Sequence, residues 1–112
     1  MDKYIILLPM NYNDGTKVSR EVLKRVIAEL YDLANGYTIE GKIRGAYRMK
    51  SGQKQEDDHL KIWVLISPED AEPLRELVRK FCRELGQESM WLEKTMSIVE
   101  FVEGDLPDGE KL

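Results

Sequence analysis

A single cysteine, Cys82, in a chain of 112 residues excludes an intramolecular disulfide and every multi-cysteine metal site. Walker loop, GxGxxG, HExxH and paired CxxC motifs are all missing, so no nucleotide, zinc or dithiol chemistry is announced by spacing. No stretch approaches the ~20 apolar residues that span a bilayer, and Met1-Asp2-Lys3 with its short apolar sequel lacks the features of a signal peptide. A cytoplasmic protein is expected on that ground, with no membrane contact. Positive charge is also in deficit: 21 acidic against 17 basic residues leave a formal net charge of -4, which argues against broad contact with a phosphate backbone.

What is present organises around His59 to Ile66 (HLKIWVLI). One register, Leu60, Ile62, Val64 and Ile66, is wholly apolar; the other, His59, Lys61, Trp63 and Leu65, becomes apolar partway along. That pattern is a strand covered on both sides. Ser67-Pro68-Glu69-Asp70 follows as a helix start, with Ser67 as cap and Pro68 suited to the first helical position. Ala71, Leu74, Leu77, Val78, Phe81, Cys82 and Leu85 then recur at helical spacing up to Gly86.

Upstream, Tyr4 to Leu8 is short, β-branched and apolar, the signature of a buried strand that ends near Pro9. Ser19 caps a helix carrying Val22, Leu23, Val26, Ile27, Leu30, Tyr31 and Ala34 on one side, and Asn35-Gly36 stops it, with Gly36 expected in the left-handed conformation. From Tyr37 to Arg48 the period changes to two, with Tyr37, Ile39, Gly41, Ile43, Gly45 and Tyr47 sharing a buried face and the glycines marking a bulge or kink. Lys50 to Asp58 (KSGQKQEDD) reads as the nine-residue connection of a long hairpin. Gln87 to Glu93 and Ser97 to Val102 read as one interrupted final strand, and the acidic stretch after Glu103 as a tail.

Strand, helix, strand, strand, helix, strand, joined by right-handed crossovers, is an α+β ferredoxin-like sandwich: a four-stranded antiparallel sheet with both helices on one face. One such domain over residues 1–103 is what this length supports, with a flexible acidic tail at 104–112. Helices shelter only one side of the sheet. Apolar side chains remain for the other side, from Tyr4, Ile6 and Leu8 or from Ile5 and Leu7, together with Trp63, Leu65 and Trp91. Such a face marks an interface or a ligand groove, and the simplest way to cover it is a homodimer with two-fold symmetry, packed sheet to sheet or edge to edge.

Candidate chemistry is sparse. His59, the only histidine, stands beside Asp57 and Asp58, which suits a base, but no nucleophile is placed with it. Glu56, Asp57 and Asp58 are acidic enough for a divalent cation yet lack further converging ligands, so no metal and no cofactor are expected. Cys82 sits on an apolar stripe, where packing is its role. Tyr12, Tyr37, Tyr47, Trp63 and Trp91 are the base-stacking candidates, but no alternating aromatic run with basic neighbours accompanies them, so nucleic acid is not expected as a partner.

Asn13-Asp14-Gly15 with Val18-Ser19, Gly36-Tyr37-Thr38, and Gly86-Gln87-Glu88-Ser89-Met90 together resemble an uncharacterised family of small bacterial domains of unknown function. The resemblance spans Tyr4 to Phe101 and is best in the Gln-Glu-Ser stretch. It implies a ferredoxin-like fold and carries no activity with it.

Two functions of different class follow. One is a non-enzymatic binding or assembly module whose apolar sheet face takes a partner protein or small ligand through Trp63, Leu65, Trp91 and Tyr47. The other is a small enzyme of the dimeric α+β-barrel kind, using His59 or a tyrosine in a pocket between sheet and helices, with Tyr47, Trp63 and His59 lining one cavity.

Overall fold

The computed structural model describes residues 1–107. Its first strand, β1 (Asp2–Pro9), leads through a loop to helix α1 (Arg20–Ala34). The long strands β2 (Thr38–Arg48) and β3 (Lys54–Ile66) form a hairpin, followed by helix α2 (Ala71–Glu84) and the short strand β4 (Trp91–Thr95). The sheet is four-stranded in the order β2-β3-β1-β4, every neighbouring pair antiparallel, with both helices on one side: the ferredoxin-like arrangement expected from the order of elements.

Alternation along β1 and β3 decides which side is which. Tyr4, Ile6 and Leu8 pair in register with Val64, Ile62 and Leu60, and all but the partly buried Leu60 are buried. They meet Val26 and Leu30 of α1 and Leu74, Val78 and Phe81 of α2 in one core. Directly opposed residues on antiparallel strands share a face. The other face therefore carries Ile5 with Trp63, Leu7 with Lys61, and Lys3 with Leu65, and β4 adds Trp91 opposite Leu7. Of the two registers open at the sequence level, Ile5 and Leu7 are the ones turned away from the helices.

The two helices start differently. Ser19 accepts the amide of Val22 on its hydroxyl at 3.2 Å, as its position predicts. Ser67 makes no such side-chain bond: a single 3-10 turn, Pro68–Asp70, precedes α2, and the Asp70 amide donates to the Ser67 carbonyl at 2.9 Å instead. At the helix ends, Asn35 rather than Gly36 takes the left-handed conformation, with φ 60°. Gly86 (φ 63°) closes α2 with the paired Gly86-to-Arg83 and Gln87-to-Cys82 backbone bonds of a Schellman end.

Three expectations about the strands are corrected. β2 is an edge strand without a buried face: Ile39 and Ile43 are exposed, and a bulge between Ile39 and Gly41 puts them on opposite sides. Gly41, at φ 126°, is the residue that lets the bulge form. The hairpin connection is far shorter than Lys50 to Asp58, because pairing of Arg48 with Lys54 carries β3 back to Lys54 and places Asp57, Asp58 and His59 inside the strand. Finally, Ser97 to Val102 is not strand; β4 runs through Lys94 and Thr95 and ends there. Of the acidic tail, residues 104–107 have no regular structure, and 108–112 lie outside the described residues.

Candidate functional site: a cleft on the open sheet face

β1 ends at Pro9 opposite His59, while β3 reaches back a further five residues to Lys54, so about 17 Å of the β2–β3 hairpin extends beyond the rest of the sheet. That overhang curls toward the connection between α2 and β4: the Lys50 amide donates to a Glu88 carboxylate oxygen at 3.4 Å. The same connection is tied to the β1–α1 loop by Asn13 Nδ2, which donates to the Gly86 carbonyl at 2.8 Å.

Between overhang, connection and open sheet face lies a hollow of about 340 Å³. Leu7, Pro9, Ile43, Met90 and Trp91 supply apolar walls, Gly45 and Ala46 a close backbone, and Tyr47, His59, Gln87 and Ser89 the polar groups. Each comes from a local cause. Tyr47 is on the open-face register of β2 beyond the bulge, and His59 pairs across from Ile43 with its imidazole over Gly45, where even an added Cβ would stand 3.8 Å from the ring, an ordinary contact. Gln87 is held at the helix end by its backbone bond to Cys82 and by its side-chain amide, which donates to the Leu85 carbonyl at 3.1 Å. Trp91 opens β4 and donates its indole N–H to Glu93 at 3.0 Å while leaving 57% of its surface exposed.

Beside the cleft, Asp57 is only 4% exposed. One of its oxygens accepts from Gln55 Nε2 at 3.0 Å and the other has no partner, and it also lines a neighbouring polar hollow with Asn13 and Asp14. Burial pushes the Tyr47 phenol above its ordinary pKa, and the negative charges of Asp57 and Glu88 push it further in the same direction. His59 Nδ1 is shut from solvent with no hydrogen-bond partner. Burial likewise raises the Cys82 thiol, which packs against the core as its stripe position predicts. Among the described residues no three His, Cys, Asp or Glu side chains converge on a point where a metal ion would fit.

Of the residues singled out from the sequence, Tyr47, His59 and Trp91 meet at the cleft. Trp63 and Leu65 share the open face by register but stand nearer its other end, where Lys3 lies over the Trp63 ring at 4.5 Å. The shared cavity of Tyr47, His59 and Trp63 is thus corrected: Trp91 takes the place given to Trp63, because β4 begins opposite Leu7 and Trp63 pairs one step further along with Ile5. Gln87, Ser89 and Met90 were not chosen from their chemistry; their only signal was the Gln-Glu-Ser stretch.

No family model matches this chain, and no curated protein does. Among solved structures it is similar to a phage SAM lyase in complex with S-methyl-5'-thioadenosine, with a TM-score of 0.67 and 21% identity over 84% of this chain and 79% of that one. It is also similar to the periplasmic divalent cation tolerance protein CutA from Archaeoglobus fulgidus, with a TM-score of 0.63 and 15% identity over 91% and 87% of the two chains. A divalent cation tolerance protein from Thermus thermophilus matches with a TM-score of 0.58 and 18% identity over 90% and 86%. At these identities the likeness establishes the fold, shared by an enzyme and by proteins of another description, and not an activity.

Proposed function

We propose that this chain is the small-ligand-binding subunit of a homo-oligomer and that the open-face cleft holds a flat, ring-bearing molecule. The observation that carries this reading is the make-up of the cleft: apolar and aromatic walls around a few polar groups, in a volume at the lower end of the range for small-molecule sites. Tyr47 and Trp91 offer aromatic surface, and Gln87 and Ser89 offer polar edges. A nucleoside fits that description, and S-methyl-5'-thioadenosine is the probe to use first, because a phage SAM lyase of similar fold is seen with it.

Calorimetric titration with S-methyl-5'-thioadenosine and S-adenosylmethionine tests the proposal. Saturable binding to the wild type is expected, weakened at least tenfold in Trp91→Ala, a variant that gives up little buried area because Trp91 is largely exposed. Binding of neither compound, or undiminished binding by Trp91→Ala, overturns it.

One observation favours a second reading, a small enzyme of the dimeric α+β-barrel kind: His59, in the cleft wall, keeps a ring nitrogen without a partner. His59→Ala separates the two. An enzyme loses turnover of the bound compound while still binding it; a binding module shows no turnover in either form.

A further inference from the structure

The described part of the chain ends in something the fold does not use. After Thr95, Ile98, Phe101 and Val102 are 97%, 77% and 84% exposed, and among the described residues no hydrogen bond ties the backbone of 97–107 to anything else. Six consecutive residues, Ser97 to Val102, carry four large apolar side chains with high strand propensity and no sheet to join. On the opposite side of the molecule β2 is an edge strand with its own exposed Ile39 and Ile43. An apolar unpaired segment and an unpaired edge on one molecule are two halves of a β-addition contact. They cannot meet within one chain without crossing the sheet, because the segment leaves from β4 at one edge and β2 forms the other.

We infer that Ser97 to Val102 of a second copy of this chain pairs along the free edge of β2 and closes the open side of the cleft. Resting as it does on the reading of that cleft as a ligand site, this names the partner that completes it. Charge and length single out β2. On β2, Lys42, Arg44 and Arg48 share one face by register, and Ile43 and Tyr47 share the other. In the segment, Val99 and Phe101 share one parity and Glu100 has the opposite one. Pairing that lays Val99 and Phe101 beside Ile43 and Tyr47 therefore turns Glu100, between Ile98 and Val102, toward the basic side chains. Two copies of β2 pairing with each other would instead oppose their own lysines and arginines. The other edge, β4, has five residues, shorter than the six-residue segment, and its Glu93 and Lys94 offer no excess of positive charge. β2, with 11 residues, accommodates the segment with room to spare. Because Ile43, Gly45 and Tyr47 line both the edge strand and the cleft, the added strand brings Val99 or Phe101 of the partner to the cleft rim.

The test is a double substitution, Val99→Pro with Glu100→Pro, in the full chain. Successive residues of a strand point their amides to opposite sides, so one of the two prolines removes a donor facing β2 whichever register is used. Among the described residues neither Val99 nor Glu100 makes a hydrogen bond. Sedimentation velocity at micromolar concentration is expected to show an oligomer for the wild type and a monomer for the variant, with unchanged far-ultraviolet circular dichroism. Hydrogen exchange is expected to show β2 amides protected in the wild type and faster by at least tenfold in the variant, with β4 amides unchanged. A monomeric wild type, a variant that keeps the wild-type mass, or protection lost on β4 in place of β2 overturns the inference. Calorimetry on the same samples keeps the two proposals apart: a variant that keeps the wild-type mass and still binds the nucleoside removes the strand contact and leaves the ligand site standing.

Discussion

Asp57 does not line the cleft, yet its carboxylate acts on Tyr47, which does. Tyr47 holds its proton to a higher pH than a free phenol first because it is partly buried and then because of Asp57, one oxygen of which is bonded to Gln55 while the other has no partner, and Glu88. Burial is the first cause of that shift, so Asp57→Asn is expected to lower the Tyr47 pKa part of the way back, and Glu88→Gln by less. Ultraviolet titration of the phenolate, with Tyr47→Phe identifying which transition belongs to Tyr47, checks this; an unmoved transition in Asp57→Asn contradicts it. The sign for stability follows from the same shift. The folded phenol is protonated to a higher pH than the unfolded one, so its contribution is intact below about 10 and is lost as pH climbs through the raised folded value. Asp57→Asn should therefore flatten the loss of stability on the alkaline side.

Helix starts that look alike in sequence separate once their hydrogen bonds are known. Ser19 and Ser67 both precede an apolar helical stripe, but only Ser19 uses its hydroxyl as a cap. Ser19→Ala is expected to cost about 1 kcal/mol, the usual loss when one orphan amide at a helix start goes unsatisfied. Ser67→Ala is expected to stay within about 0.5 kcal/mol, since the turn there is closed by backbone and by Pro68. Urea unfolding of the pair measures the difference, and equal losses would mean that Ser67 caps α2 in solution. In β2 the bulge makes an analogous demand on Gly41: at φ 126° a side chain is strained whatever the space around it. Gly41→Ala should cost roughly 1–3 kcal/mol by the same measurement.

For the molecule taken together, shape is the informative quantity. A radius of gyration of 16.3 Å and a long axis of 57 Å exceed the roughly 13 Å radius expected of a compact chain of this length. The excess comes with a hairpin that overhangs the sheet and a segment after Thr95 whose Ile98, Phe101 and Val102 are largely exposed. One core joins both helices to the sheet, so circular dichroism of the helices and fluorescence of Trp63 and Trp91 should report a single coincident unfolding transition. If a second copy supplies a strand, the midpoint should also rise with protein concentration in the wild type and not in the double proline variant. Separate transitions for the two probes would show that the open face loosens independently of the helices.

Hydrophobic period alone was enough to determine the order of elements, the ferredoxin-like sandwich, the apolar stripe of α2 and the presence of a second apolar face. Those features are local: a side chain's spacing from its neighbours states whether it belongs to a helix or a strand. Tertiary structure decided which parity of β1 faces the helices, that Trp91 and not Trp63 joins Tyr47 and His59, and that Asp57 is buried within β3 and not solvated in a loop. It also decided that, among the described residues, Ser97 to Val102 is paired with no strand. Each of these depends on register, on where β1 and β4 stop against a longer hairpin. A strand's sequence states its alternation but not its alignment with a partner, and a slip of one residue turns every side chain to the other face.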